Sequence, residues 1–205
     1  MTPAEISRAA QALFEAEKSH KQIGLLTRAH PEMTMDDAYA VQKALVSLKI
    51  ADGRRVIGWK IGLTSKAMQY ALNIDIPDSG ILFDDMYFED GATVPAGRFI
   101  QPRIEAEIAF VMKTDLEGAA GRDEVLAATD YVCPALEILD TRIERVDEHT
   151  GHTRKIFFRS PTMRRMPASF WVARNMIPQR LICAGRARFA AAMTRLRRQV
   201  LARAF

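Results

Sequence analysis

Two periodicities divide the first 157 residues. Up to about residue 50, apolar positions recur at helical spacing, first as Ile6, Ala10, Leu13 and Phe14 and then as Val41, Leu45 and Leu48. Each run has a start signal. Thr2-Pro3-Ala4-Glu5 gives a cap, a proline in the first turn and an early acid, and Thr34-Met35-Asp36-Asp37 repeats the cap and the acids before Gly53 ends the second run. The spacing therefore predicts an N-terminal helical lobe. From Arg55 the period drops to two. In Val56-Ile57-Gly58-Trp59-Lys60-Ile61-Gly62, Ile57, Trp59 and Ile61 share one side, and Lys60 lies between glycines on the other. In Pro102-Arg103-Ile104-Glu105-Ala106-Glu107-Ile108-Ala109-Phe110 the apolar residues Ile104, Ala106, Ile108, Phe110 and Met112 predict a strand with one face in a core, so Glu105 and Glu107 share the opposite face. Further short strands are expected near 81–88 and 131–140, and a short helix over Arg122 to Asp130.

Composition adds a division of a different kind. The 205 residues are 48% hydrophobic and carry a net charge of +4, but residues 158–205 hold 11 Arg and no Lys, Asp or Glu. The first 157 residues are consequently acidic, at −7. A solvated surface mixes both signs, so a 48-residue stretch without an acid requires its own explanation. No run approaches the roughly 18 apolar residues of a membrane span, and the N-terminus carries no leader-like pattern. Cys133 and Cys183 do not suggest a disulfide framework. A cytoplasmic location is expected, without a membrane partner.

Several residues are candidates for chemistry. Lys60, flanked by Gly58 and Gly62, can hold a carboxylate or transfer a proton, or it can be a lysine at a strand's solvent edge. Asp78, in Ile76-Pro77-Asp78-Ser79-Gly80, is by default a turn former. Glu105 and Glu107 gain meaning from Glu137, which interrupts the apolar run Tyr131-Val132-Cys133-Pro134-Ala135-Leu136-Glu137-Ile138-Leu139. Three carboxylates from two strands form an all-oxygen set suited to Mg²⁺ or Mn²⁺. The alternative is that they face solvent or pair with Arg103 and Arg142. His149 and His152 have an H-x-x-H spacing, but in a polar loop, where ligation is not expected.

Four stretches together carry a resemblance: "GWKIGLTSKAMQ" (58–69), "IPDSGILFDDM" (76–86), "PRIEAEIAFV" (102–111) and "ATDYVCPALEILDTRIE" (128–144). They resemble the 2-oxohept-4-ene-1,7-dioate hydratases, in the hydratase/decarboxylase branch of the fumarylacetoacetate hydrolase superfamily, almost continuously from residue 4 to 157. The resemblance implies an α+β fold, with the helical lobe (1–54) joined to a mixed β-roll of which 55–157 form part and whose C-terminal half is missing. It also implies homo-oligomers in the intact family, a small-molecule 2-oxo-enoate dicarboxylate as substrate, and addition of water to it in aromatic catabolism. The family's metal set falls on Glu105, Glu107 and Glu137, with Mg²⁺ or Mn²⁺ as cofactor, and its active-site lysine and aspartate fall on Lys60 and Asp78. The five-carbon 2-hydroxypenta-2,4-dienoate hydratases and the 4-oxalocrotonate decarboxylases share these motifs.

After "TRKIF" (153–157) the resemblance stops. Joining the third base of each codon to the first two of the next tests the remainder as a shifted frame. Met and Trp have single codons, so Trp171-Val172 yields Gly, Met166-Pro167 yields Ala and Met176-Ile177 yields Asp. With permissible codons elsewhere, Arg159 to Ala173 becomes "ISDNAANAGIVLGG", close to the family's continuation. Residues 158–205 thus read as an out-of-frame basic tail, from mutation or sequencing error, not expected to fold natively or to supply the missing strands. The competing class is a nucleic-acid-binding module whose basic arm contacts phosphates. The arm's reading as family sequence in another frame argues for no nucleic-acid partner.

Overall fold

The computed structural model describes residues 1–62, 64, 66–71, 78–147, 150–151 and 171–176. Helix α1 (Pro3–Ser19) and helix α3 (Met35–Ala51) flank a single turn, α2 (Leu26–Ala29). Both long helices begin on the expected caps. Thr2 Oγ1 accepts the Glu5 N–H while the Glu5 carboxylate accepts the Thr2 N–H at 2.7 Å, and Thr34 and Asp37 repeat this exchange on α3. Such reciprocal capping satisfies donors that the first helical turn leaves open. The predicted stripes then meet: Ala10, Leu13 and Phe14 of α1 pack with Val41 and Leu45 of α3, joined by Met33 and Ile143.

Strand β1 (Val56–Gly62) pairs antiparallel with β2 (Asp78–Phe83), the short helix α4 (Lys66–Ala71) falling between them in sequence. A 3₁₀ turn at Asp84–Met86 follows β2 directly, where the sequence pattern predicts strand to residue 88. Asp84 explains the early stop. Its carboxylate accepts the backbone N–H groups of Arg55 and Asp85 and the Arg55 guanidinium, which bends the chain away from the ribbon. Phe83 and Met86 form a second apolar cluster with Ile81, Val46 of α3 and Phe99.

Strand β3 (Arg103–Met112), helix α5 (Arg122–Ala128) and strand β4 (Thr129–Leu139) come next, close to their expected bounds. β4 is the middle strand of three, between β3 and β5 (Trp171–Met176). β5 lies in the stretch from which no strand is expected. Strand addition uses backbone N–H and C=O groups, which any sequence supplies, so an open edge recruits a neighbour without regard to side chains.

The chain divides into two compact units, the first containing Met1–Met86 and Pro95–Arg103, the second Tyr87–Val94 and Ile104–Ile138. In each, an apolar strand face is open, and on β3 it is the face expected in a core. Trp59 and Ile61 on β1 are 67% and 63% exposed, and Ile104, Ile108, Phe110 and Met112 on β3 are exposed as well. On β3 it is the face of Ala109 and Val111 that is more covered. The alternation is present as expected, but much of the apolar side is left exposed. Apolar spacing establishes which side of a strand is apolar, whereas a core also needs an element to cover that side.

Candidate metal centre

Glu105 and Glu107 lie two positions apart on β3, and Glu137 lies on neighbouring β4. One carboxylate oxygen from each falls within 4.8 Å of the others. Glu105 is exposed, whereas Glu137 is 3% exposed with both carboxylate oxygens shielded from solvent. Period two brings the β3 pair to one face, and strand pairing adds the third. Carboxylates this close repel one another when ionised, and the donor set, all oxygen and anionic, is what hard divalent cations take. The residues therefore fit Mg²⁺ or Mn²⁺.

Lys60 and Asp78 belong to the first unit. Lys60 pairs with Gly80 and Gly62 with Asp78, so the two occupy register positions on one face of the β1–β2 ribbon. As a diagonal pair their Cα atoms are roughly 7–8 Å apart. Lys60 is half-buried, more covered than Trp59 and Ile61 beside it. Helix α3 supports the ribbon here through Gln42 Nε2, which donates to the Ser79 carbonyl at 3.2 Å.

Two groups of polar residues that sequence reasoning passed over lie in the first unit. Glu17 of α1 is the anion for three cations: Lys49 of α3 at 2.7 Å, Arg54 at 2.6 Å, and Arg142, whose Nε donates at 2.6 Å. Arg142, a possible partner for the β3 glutamates from sequence, is thus engaged by Glu17. Burial raises the Glu17 carboxyl, but the charges of Arg142 and Lys49 and the hydrogen bonds from Lys49 and Arg54 outweigh it and hold it well below the usual range. Burial, then the charge of Arg142, pushes the Lys49 ammonium down to about 8. The second group centres on Asp140, just past β4, which accepts the backbone N–H groups of Ile100 and Gln101 at 2.9 and 2.7 Å. The only sequence cue was an acid closing an apolar strand in "EILD".

Cys133 is a buried free thiol on β4, its pKa pushed up by burial. Cys183, His149 and His152 lie outside the described residues. No helix among the described residues is long and apolar enough to cross a membrane.

With this geometry in hand, known proteins supply the context. The chain is 52% identical over 149 residues to a 2-oxo-hept-4-ene-1,7-dioate hydratase of Escherichia coli, a match covering 72% of this chain and 56% of the relative. It is 49% identical over 144 residues to a 2-keto-4-pentenoate hydratase of Paraburkholderia xenovorans, covering 70% and 54%. Over the matched residues the chain is similar to members of the hydratase/decarboxylase branch of the fumarylacetoacetate hydrolase superfamily. A solved relative in this branch, 4-oxalocrotonate decarboxylase from Pseudomonas putida G7 complexed with magnesium and adipate, superposes with a TM-score of 0.65 at 38% identity, covering 70% of this chain and 55% of that one. A second structure of that enzyme is complexed with calcium and acetate. The chain spans about half the length of these relatives. No family model matches it.

Proposed function

We propose that this chain derives from a metal-dependent hydratase that adds water to 2-oxohept-4-ene-1,7-dioate, giving 4-hydroxy-2-oxoheptane-1,7-dioate in the breakdown of aromatic compounds. The observation that carries this reading is the convergence of Glu105, Glu107 and Glu137 within hydratase-branch sequence. A divalent cation held by those three carboxylates supplies Lewis-acid polarisation of the substrate's 2-oxo group. Magnesium in one decarboxylase structure and calcium in the other support a hard, oxygen-seeking ion. Lys60, a compact positive charge, fixes a substrate carboxylate or delivers a proton, and Asp78 orients or deprotonates the attacking water. The substrate is a small dicarboxylate. The same reading makes the intact protein a cytoplasmic homo-oligomer with no nucleic-acid or membrane partner.

The 49% identity to a five-carbon hydratase, close behind 52%, makes 2-hydroxypenta-2,4-dienoate hydration the runner-up. Decarboxylation of 4-oxalocrotonate stands third, at 38%. Product analysis on the three substrates separates them: hydration of the seven-carbon dioate at the highest kcat/KM is expected, and carbon dioxide release would transfer the assignment to the decarboxylases.

We further infer that residues 158–205 are a shifted frame of the same gene. Their acid-free composition supports this, as do the matches to the Escherichia coli and Paraburkholderia xenovorans hydratases, which cover 72% and 70% of the chain. Resequencing around codons 155–160 tests it. A frame-restored chain should hydrate the dioate only with Mg²⁺ or Mn²⁺ present, and full activity after exhaustive chelation would remove the metal from the mechanism.

A further inference from the structure

The two strands that carry the carboxylates are tied together at their roots. Asp140, three residues past Glu137, takes the N–H of Ile100 on one carboxylate oxygen and that of Gln101 on the other. Gln101, four residues before Glu105, is gripped from a second side: Arg145 Nε donates to its side-chain oxygen at 3.1 Å and an Arg145 terminal nitrogen to its carbonyl at 3.2 Å. The segment that supplies these grips is itself held by the helical lobe. Ile23 and Ile143 form a backbone bridge, Ile23 N–H donating to the Arg142 carbonyl at 2.8 Å and Glu144 N–H to the Ile23 carbonyl at 2.9 Å. Gln22 donates to the carbonyls of Thr141 and Ile143, and Glu17 holds the Arg142 guanidinium.

We propose that Asp140 is a positioning residue for the metal centre: its carboxylate fixes the entry to β3 against the exit from β4, so that Glu105 and Glu107 arrive opposite Glu137. The proposal rests on the metal reading above. Magnitudes make the case for a clamp. A slip of one residue moves a strand by about 3.3 Å and turns its side chains to the other face, whereas ligand distances in a metal site hold to within about 0.2 Å. β3 has an open apolar face, so packing gives its register little support. Hydrogen bonds at the root supply that support, because both N–H groups must stay within reach of one rigid carboxylate.

The test is Mn²⁺ binding to the full 205-residue chain, followed by electron paramagnetic resonance and paired with far-ultraviolet circular dichroism as the measure of folded structure. The wild-type chain is read first; if it binds no Mn²⁺, the metal reading fails and the clamp with it. Given wild-type binding, Asp140→Asn, which keeps volume but surrenders one of the two acceptors, should weaken Mn²⁺ affinity about tenfold or more and broaden the bound-ion spectrum. Asp115→Asn, in a loop, controls for the lost charge and should bind as wild type. Unchanged affinity and spectrum in Asp140→Asn, with only a weaker circular dichroism, would overturn the clamp while leaving the metal reading intact. If Asp140→Asn does not fold, Arg145→Ala removes the second grip on Gln101 in its place. Weaker Mn²⁺ binding there supports the proposal, and wild-type affinity overturns it.

Discussion

Glu107 and Glu17 are both partly covered carboxylates, but they answer to different partners, and substitution separates them. Glu107→Gln removes one ligand charge at nearly constant volume, so metal affinity should fall by more than about tenfold while the melting temperature barely moves. Isothermal titration of the frame-restored chain with Mn²⁺, alongside its melt, checks both. Glu17→Gln should instead cost about 3–5 kcal/mol of stability, because it leaves Lys49, Arg54 and Arg142 without their common anion. Lys49→Met should be far milder, within about 1 kcal/mol of wild type, since Arg54 and Arg142 still serve Glu17 and a buried charge is removed. Chemical denaturation of the variants, made in the frame-restored chain, measures the contrast. The pH dependence follows from the signs. Glu17 is held below its usual 4.5, so its contribution is complete above that pH and is lost as acid protonates it. Lys49 titrates near 8 when folded and 10.5 when unfolded, so the unfolded chain holds more protons in that window. Its contribution to stability therefore rises between those values, and Lys49→Met should abolish the rise.

Among the elements, the helices were legible in detail because their determinants are local. A cap, an acid three residues on and an apolar stripe fix a helix start, and both Thr2 and Thr34 do what their positions predict. Thr34→Ala should accordingly destabilise the lobe by about 1 kcal/mol, read as a lower denaturation midpoint of the frame-restored chain. Strands were legible in period but not in environment. The alternation on β3 located Glu105 and Glu107 correctly on one face, yet the apolar face opposite them is exposed, because what covers it is decided by residues distant in sequence or outside this chain's described part. The end of β2 was misjudged for a similar reason: apolar character continues past Phe83, but the Asp84 carboxylate answers to Arg55, far back in sequence. Asp140 went unnoticed on the same ground, since its partners lie some forty residues upstream.

For the whole molecule, the open faces of β1 and β3 set the expected behaviour. Apolar strand faces left exposed favour association and loose tertiary order. The full 205-residue chain and a 1–157 truncation should therefore both unfold without cooperativity and bind a hydrophobic dye, whereas the frame-restored chain should melt in one transition. A cooperative melt of 1–157 alone would contradict the shifted-frame reading and return the basic tail to consideration as a functional arm. Salt-dependent sticking to DNA does not discriminate, because any arginine-rich peptide does that.

The sequence by itself determined the helical lobe, the two-residue period of β3, the identity of the three carboxylates and the change in character after residue 157. All of these are written in short-range spacing or in composition. Tertiary structure decided that Glu137 comes within 4.8 Å of the β3 pair, that Lys60 and Asp78 fall on one face of a ribbon, and that Arg142 pairs with Glu17. It also decided that two apolar strand faces remain open. The physical reason is common to these outcomes. Periodicity states which residues share a side, whereas the partner that side meets depends on strand pairing and charge pairing between segments that the sequence keeps apart.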